Sequence, residues 1–445
     1  MSEEDAPTPS RLPVYFETRP VGTIEVLEGG PRFVYDPAWL ALKGAFAISL
    51  TMPLTAPVHD PKTLLPWIVN LLPESAKTLG ALKGALKDQR MSGPPDVIDL
   101  LFRMGRDTAG ALSIGHPGTS IVENKWRRVP DDAALERILN ELPLKPFLIG
   151  DEGVSMSLAG VQTKLAVAMQ DGSVHIPIDG APSTHVLKPD SDRLPGAVQN
   201  EAFCLTLAAK AGIPTPNVTT GTAGARSYLL VERYDRRHDG HRWRRLHQED
   251  FCQALGYPPE AKYQNSPDGY RGPSLPDLVG VTQKHMQIQD TARFVDLAIY
   301  NAIVWNTDSH AKNYSMMLSA RGASMAPGYD IVCAAPYPNI TRNMAQKIGG
   351  QKRAEQLGRR HWEKFASDCG LSPSLVVRRV REIADAVVLH APAARTEVEA
   401  MPAGGHAVLA DVVAAITKRS EDYVSRLTDS PAGSDEPEPS TTPAP

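Results

Sequence analysis

Thr307-Asp308-Ser309-His310-Ala311-Lys312-Asn313, followed after a short gap by Gly328-Tyr329-Asp330-Ile331, is the stretch on which the reading of this 445-residue chain turns. An aspartate with an asparagine five positions on, and a second aspartate before an apolar residue further down, is the polar inventory that phosphoryl transfer needs. It supplies a carboxylate for the proton of an acceptor hydroxyl, and an amide and a carboxylate for a divalent cation. Hydrophobic runs flank both pieces, Phe294 to Trp305 before and Tyr314 to Leu318 between, so the polar residues fall at the ends of buried elements, where catalytic groups are held. A solvated loop has the same local composition, so the decision passes to what lies upstream.

Upstream, Ser157-Leu158-Ala159-Gly160-Val161-Gln162-Thr163-Lys164 runs from a small-residue loop into a strand, and Asp171-Gly172 marks a hairpin into Val174-His175-Ile176. Small residues let backbone N–H groups close on phosphate oxygens and Lys164 adds a cation, although an ordinary tight loop between strands uses the same residues. Thr184-His185-Val186-Leu187-Lys188 reads as a strand ending in a lysine of the kind that neutralises nucleotide phosphates. A helix from Gln199 to Ala211 follows, stopped by Gly212 and Pro214. Glu201 in its first turn is placed to pair with Lys188 and also to favour the helix dipole, two roles that can hold together. Ser227 to Asp235 is a buried-strand pattern that turns polar abruptly, which makes Glu232, Arg233 and Tyr234 candidates for the segment that holds an adenine. Arg236, Arg237, Arg242, Arg244 and Arg245 surround Asp239-Gly240; we expect a hairpin with an exposed basic rim, the other reading being a grip on nucleic acid or an acidic partner.

With 42% hydrophobic and 22% charged residues and a formal net charge of -4, the composition is that of a globular chain able to bury two or three cores, with no bias towards polyanions. Four cysteines without C-x-x-C spacing fit buried thiols in a reducing compartment. The acidic N-terminus lacks an apolar leader and no run is long enough to span a bilayer, so the expected location is cytoplasmic and away from membranes. The expected organisation is a disordered N-terminus (1–10), a subdomain opening on an antiparallel meander (11–145), a β-rich small lobe (146–258), a helical lobe (259–427) and a disordered tail (428–445). The fold class is therefore α+β, a two-lobed protein-kinase-like fold with a β-rich N-terminal region and an all-helical C-terminal lobe.

The segments Ser157 to Lys164, Thr184 to Lys188, Asn200-Glu201, Val231 to Arg236, Gln248 to Gln253, Thr307 to Asn313 and Tyr329-Asp330-Ile331 together resemble the HipA family of serine/threonine kinase toxins. Asn70-Leu71-Leu72-Pro73-Glu74-Ser75 and Gly105 to Ala111 resemble it too, so the likeness covers about residues 12 to 427. The resemblance implies a toxin–antitoxin kinase using ATP and Mg2+ to phosphorylate a serine of an aminoacyl-tRNA synthetase or another translation protein. It also implies a HipB-like helix-turn-helix antitoxin, contact with DNA only through that antitoxin, and a homodimer within the complex. Carried over by motif, Asp308 is the base, Asn313 and Asp330 are metal ligands, and Glu201 positions Lys188. Ala159, Gly160, Val161, Gln162, Thr163, Lys164, Lys188, Glu232, Arg233, Tyr234, His310, Lys312 and Tyr329 contact the nucleotide. Ser157 falls where the family autophosphorylates, which ejects the phosphate loop and silences the enzyme. Thr163, Ser309 and Gly328 depart from the common family pattern, which bears on loop geometry and substrate choice.

Three other readings use the same residues. A small-molecule kinase needs the same Asp308, Asn313 and Asp330, and a silent kinase-like binding module would keep the fold without turnover. A metallohydrolase on Asp308 and His310 lacks further ligands at metal spacing.

Overall fold

The meander at the start of the chain forms from β1 (Arg11–Phe16), β2 (Arg19–Leu27) and β3 (Gly30–Tyr35), in which Leu12, Val14, Ile24, Phe33 and Tyr35 turn inward. Gly22 sits where β2 crosses Phe33; a Cβ there would lie 2.5 Å from that ring, so only glycine lets the strands close. β4 (Val58–His59) and β5 (Leu112–Ile114) complete a sheet of order β4-β3-β2-β1-β5. This computed structural model describes residues 10–74, 78–79, 82, 97–116, 125–266 and 268–428. The expected disordered ends fall, at 1–9 and 429–445, outside the described residues.

A second sheet, of order β10-β11-β9-β7-β8-β6, contains β6 (Trp126–Arg128), β7 (Leu165–Gln170), β8 (Ser173–Pro177), β9 (His185–Pro189), β10 (Val218–Ala223) and β11 (Arg226–Glu232). Asp171 and Gly172 both take positive φ, 51° and 74°, which gives the tight turn whose twist suits a hairpin and pairs Gln170 with Ser173. One face of this sheet shares a core with the N-terminal sheet, in which Leu165, Val167 and Leu187 meet Trp39, Trp67, Leu71 and Leu101.

The helix Ala197–Lys210 is buried on nearly every side because it lies between the sheet and the helices Pro373–Glu399 and Val408–Thr428. Its Phe203 and Leu207 join Phe294, Ile299, Tyr300, Val380 and Leu409 in a second core. Each such fully buried side chain contributes about 1.5–3 kcal/mol over an exposed one. Gly196 opens the helix at φ 73°, with His406 2.4 Å from where a Cβ would stand, so a side chain is barred there twice over.

The α+β fold agrees with expectation, but the expected helical lobe (259–427) is not all-helical. The hairpin of β12 (Arg236–His238) and β13 (Trp243–Arg245) lies in the expected small lobe, as does β14 (His247–Asp250). Within the helical lobe β15 (Ser315–Ser319) pairs with β16 (Gly322–Met325), in a sheet to which β14 adds, and β17 (Asn343–Ile348) pairs with β18 (Gln351–Arg353). The helix Phe251–Leu255 begins only after Asp250, which caps it: the Asp250 side chain accepts from Gln253 N, and Gln253 Oε1 accepts from Asp250 N. Residues before the cap are thereby free to pair with β15.

Candidate active site

The loop that carries Asp308 is set by what precedes it. The apolar run Phe294 to Trp305 lies mostly on the helix Ile288–Ile303, which stops as Trp305 turns to φ 62°, and the run from Tyr314 becomes β15. Between them Asn306 is buried, donating to Asn301 Oδ1 at 3.0 Å and to Asp330 O at 3.3 Å. That side chain ties the loop of Asp308 to the loop of Asp330.

At the centre Lys188 Nζ, at the end of β9, lies 2.6 Å from Glu201 Oε1 and 2.5 Å from Asp330 Oδ1. Burial alone would raise the Asp330 carboxyl; Lys188 and Lys164 outweigh it and hold the group well below the usual carboxylate range. Burial would likewise lower the Lys188 ammonium, but the carboxylates of Asp330 and Glu201 raise it. Asp330 has φ 58°, a left-handed conformation that a non-glycine residue keeps only where its surroundings enforce it. The helix starts at Ala197, which puts Glu201 beyond its first turn rather than in it as expected, so the ion pair with Lys188 stands and the dipole role does not. Gly328 packs without a side chain because a Cβ would stand 2.7 Å from Leu297.

Asp308 stands at the mouth, its side chain 65% exposed, and accepts from Tyr263 OH at 2.5 Å. The surrounding walls push its carboxyl up from the ordinary aspartate value, and the bond from Tyr263 opposes them. Asn313 donates from Nδ2 to Asp308 O at 2.8 Å, which leaves its own carbonyl oxygen available. His310 Nε2 lies 4.0 Å from Asp308 Oδ1, and burial with Lys262 beside it lowers the imidazole to about 3, so the ring is neutral at pH 7. Asn313 Oδ1 and the Asp330 carboxylate are the two oxygen donors here; magnesium fits such a sparse set, since it takes one or two protein oxygens and fills its octahedron with phosphate and water. No cluster of three or more His, Cys, Asp or Glu side chains suited to a metal exists among the described residues.

Several candidates occupy other positions than their assigned role requires. Lys312 is buried, its ammonium held by Asn70 Oδ1 at 2.5 Å, Glu74 at 3.3 Å and Asp250 at 3.3 Å. It braces the loop against the N-terminal subdomain rather than reaching for a nucleotide. Arg233 is also buried, giving its guanidinium to Asp235 at 2.6 Å and Ser183 at 2.9 Å and its backbone N–H to Thr184 O at 2.9 Å. Glu232 ends β11, and Tyr234 stacks on Tyr329 with ring centroids 5.7 Å apart. Nor do the arginines beyond form a wholly exposed rim. Arg236 pairs with Arg245 across the hairpin and both point inward to Asp107, at 2.8 and 3.2 Å, while Arg244 faces Glu17 and Asp239 outside. The basic cluster is thus half internal scaffold, with Arg237 and His238 left exposed.

Ala159 to Lys164 lead into β7, with Gly160 at φ 106° and Val161, Gln162 and Thr163 exposed. Lys164 Nζ donates to Ala159 O at 2.7 Å, closing the loop on itself. Ser157 is fully buried and donates to Leu71 O at 2.8 Å. Residue pattern did not single out Tyr263, Lys262 or Asn306. Glu74, which pairs with Lys262 at 2.6 Å, lies within the quoted stretch Asn70 to Ser75 but carried no role there.

Two family models match, the HipA N-terminal domain over residues 12–115 and the HipA-like C-terminal domain over residues 156–393. The chain belongs to the HipA family. A Sinorhizobium fredii relative named "Putative kinase Y4mE" is 35% identical over 84% of this chain and 89% of its own length. The serine/threonine-protein kinase toxin HipA of Shewanella oneidensis is 27% identical over 77% of this chain and 79% of its own. The structure of a HipA from that organism with HipB and operator DNA superposes with a TM-score of 0.79 at 25% identity, covering 93% of this chain and 97% of that one. No helix among the described residues is long and apolar enough to cross a membrane.

Proposed function

We propose that the chain is an ATP-dependent serine/threonine protein kinase acting as a toxin. The observation that carries this is Lys188 bridging Glu201 and Asp330 behind the exposed carboxylate of Asp308. In the reaction Asp308 takes the proton of a serine hydroxyl as its oxygen attacks the γ-phosphorus, and the bond to the β-phosphate oxygen breaks to release ADP. Tyr263 holds Asp308 towards the acceptor, while Lys188 and Lys164 meet the phosphate charge. Asp330 and Asn313 would hold magnesium, which when bound neutralises charge on the β- and γ-phosphates. The HipA family relationship supports a serine of an aminoacyl-tRNA synthetase or another translation protein as acceptor. The HipB and operator DNA in the superposed complex support a HipB-like antitoxin as partner; we propose that it is a helix-turn-helix protein, that DNA is reached only through it, and that the chain forms a homodimer within the assembly. A cytoplasmic location accords with this reading.

Ser157 is the proposed site of self-modification. Its hydroxyl is sealed against Leu71, so phosphate can be added only after the segment leaves its seat, and a group with a charge of about -1.5 to -2 then could not return. The test is intact mass and peptide mapping after incubation with Mg-ATP. The wild type should gain phosphate on Ser157 and Asp308→Asn should gain none while still binding nucleotide. Undiminished transfer by folded Asp308→Asn protein overturns the kinase assignment; phosphate on another residue overturns only the role of Ser157.

A further inference from the structure

Away from the nucleotide residues, one aromatic ring gathers positive charge without a counter-charge. The Arg419 guanidinium carbon, from the helix Val408–Thr428, lies 3.6 Å from the Trp305 ring centroid, and that of Arg342, just before β17, lies 4.6 Å away. Arg419 is 6% exposed, whereas Trp305 and Arg342 are only partly buried, so the cluster has a side open to solvent. Four buried nitrogens here, Arg342 Nη1, Arg419 Nε and Nη1, and Trp305 Nε1, have no acceptor. Among the described residues neither arginine lies within ion-pair distance of a carboxylate. Arg342 Nη2 reaches Ala335 O at a long 3.4 Å, and Arg419 meets the Tyr423 hydroxyl. Glu355, against the same Tyr423, has one oxygen on Arg353 at 2.6 Å and the other unpartnered.

A cation over an indole is attracted by the ring, but each buried donor left without an acceptor keeps its own desolvation cost. The ring therefore offsets only part of what four orphaned donors and two unpaired charges require. A water molecule would satisfy a donor or two but would leave both charges unanswered.

We propose that Arg342, Arg419 and Trp305 form an oxyanion site whose occupant presents a phosphate group. Phosphate offers several acceptor oxygens and up to two negative charges, and planar guanidiniums bind it through paired N–H groups. The site is set against the catalytic loops: Trp305 O accepts from Ala334 N at 3.0 Å, and the next residue, Asn306, bonds Asp330 O. Free phosphate and phosphate carried on a serine or threonine share this chemistry.

The experiment titrates the full chain, with excess Mg-bound non-hydrolysable ATP analogue present, using inorganic phosphate in one arm and O-phosphoserine in another. Chloride at equal ionic strength is the control. Trp305 fluorescence, taken as the difference from Trp305→Phe, and calorimetric heat are the readouts. One saturable site is expected, absent with chloride and weakened at least tenfold in both Arg342→Gln and Arg419→Gln; tighter phosphoserine binding would mark a protein-borne source, and equal or tighter inorganic phosphate a free one. Because Arg342 is partly exposed, its variant folds even if the Arg419 variant does not. No saturable signal beyond chloride, or unchanged affinity in Arg342→Gln, overturns the proposal.

Discussion

Replacing Asp107 with asparagine should cost this protein more than removing any exposed ion pair. The Asp107 carboxylate, 1% exposed, accepts from Arg236 at 2.8 Å and from Arg245 at 3.2 Å on one oxygen, and from Ser183 Oγ at 2.6 Å and Ser183 N at 3.1 Å on the other. Within the cluster Arg233, Arg236 and Arg245 face two carboxylates, Asp107 and Asp235, and the amide leaves only one. Losing one partner of a buried charge network costs about 3–5 kcal/mol, less than the sum of its separate bonds because the arginines relax together. At about 2–4 °C per kcal/mol for domains of 150–250 residues, and less for a longer chain, the thermal midpoint should fall by roughly 5–10 °C. Arg244→Gln is the control: its bonds to Glu17 and Asp239 are one-third exposed, so its loss is worth about 0–1 kcal/mol. Thermal melts followed by near-ultraviolet circular dichroism at a fixed scan rate decide the matter. A midpoint for Asp107→Asn no further from wild type than that of Arg244→Gln would refute the argument that burial makes the difference.

Tyr263→Phe removes the hydroxyl that holds Asp308, and should lower kcat about tenfold with KM for ATP unchanged; steady-state kinetics in which KM moves instead would place Tyr263 at the nucleotide. Asp330→Ala should weaken binding of Mg-ATP well beyond its effect on metal-free ATP, read by calorimetry with and without a chelator, and equal losses would mean a purely structural role. Glu249 is buried, its Oε1 accepts from Leu50 N at 2.8 Å, and burial outweighs the bonds from Ser49 and Leu50 to push its carboxyl up to about 8 from 4.5. Between those values the folded chain holds a proton that the unfolded chain has released, so stability should decline as pH rises from 4.5 to about 8, by up to about 1.4 kcal/mol per unit. Glu249→Gln should flatten that slope and raise the midpoint at pH 8; a parallel pH profile in wild type and variant counts against it.

The sequence by itself determined the order of the parts and the type of most elements. Short-range rules govern these: Asp171-Gly172 suits a turn with positive φ, Gly212 ends a helix, and apolar spacing tells strand from helix. It also determined the polar inventory, because Lys188, Asp308, Asn313 and Asp330 are separable from their neighbours by chemistry alone. Tertiary structure decided which charges meet. Arg236 and Arg237 are indistinguishable as letters, yet strand alternation and the register Arg236 to Arg245 send one inward to Asp107 and leave the other outside. Lys312 looks like a phosphate ligand until Asn70 and Glu74, more than two hundred residues earlier, are folded against it. Glu201 could be matched to Lys188 by residue type, but only the packing of β9 against its helix brings the two to 2.6 Å. Each outcome depends on burial and on distances set by packing of segments far apart in the chain, where a carboxylate 3 Å away outweighs any preference of the residue's own neighbourhood.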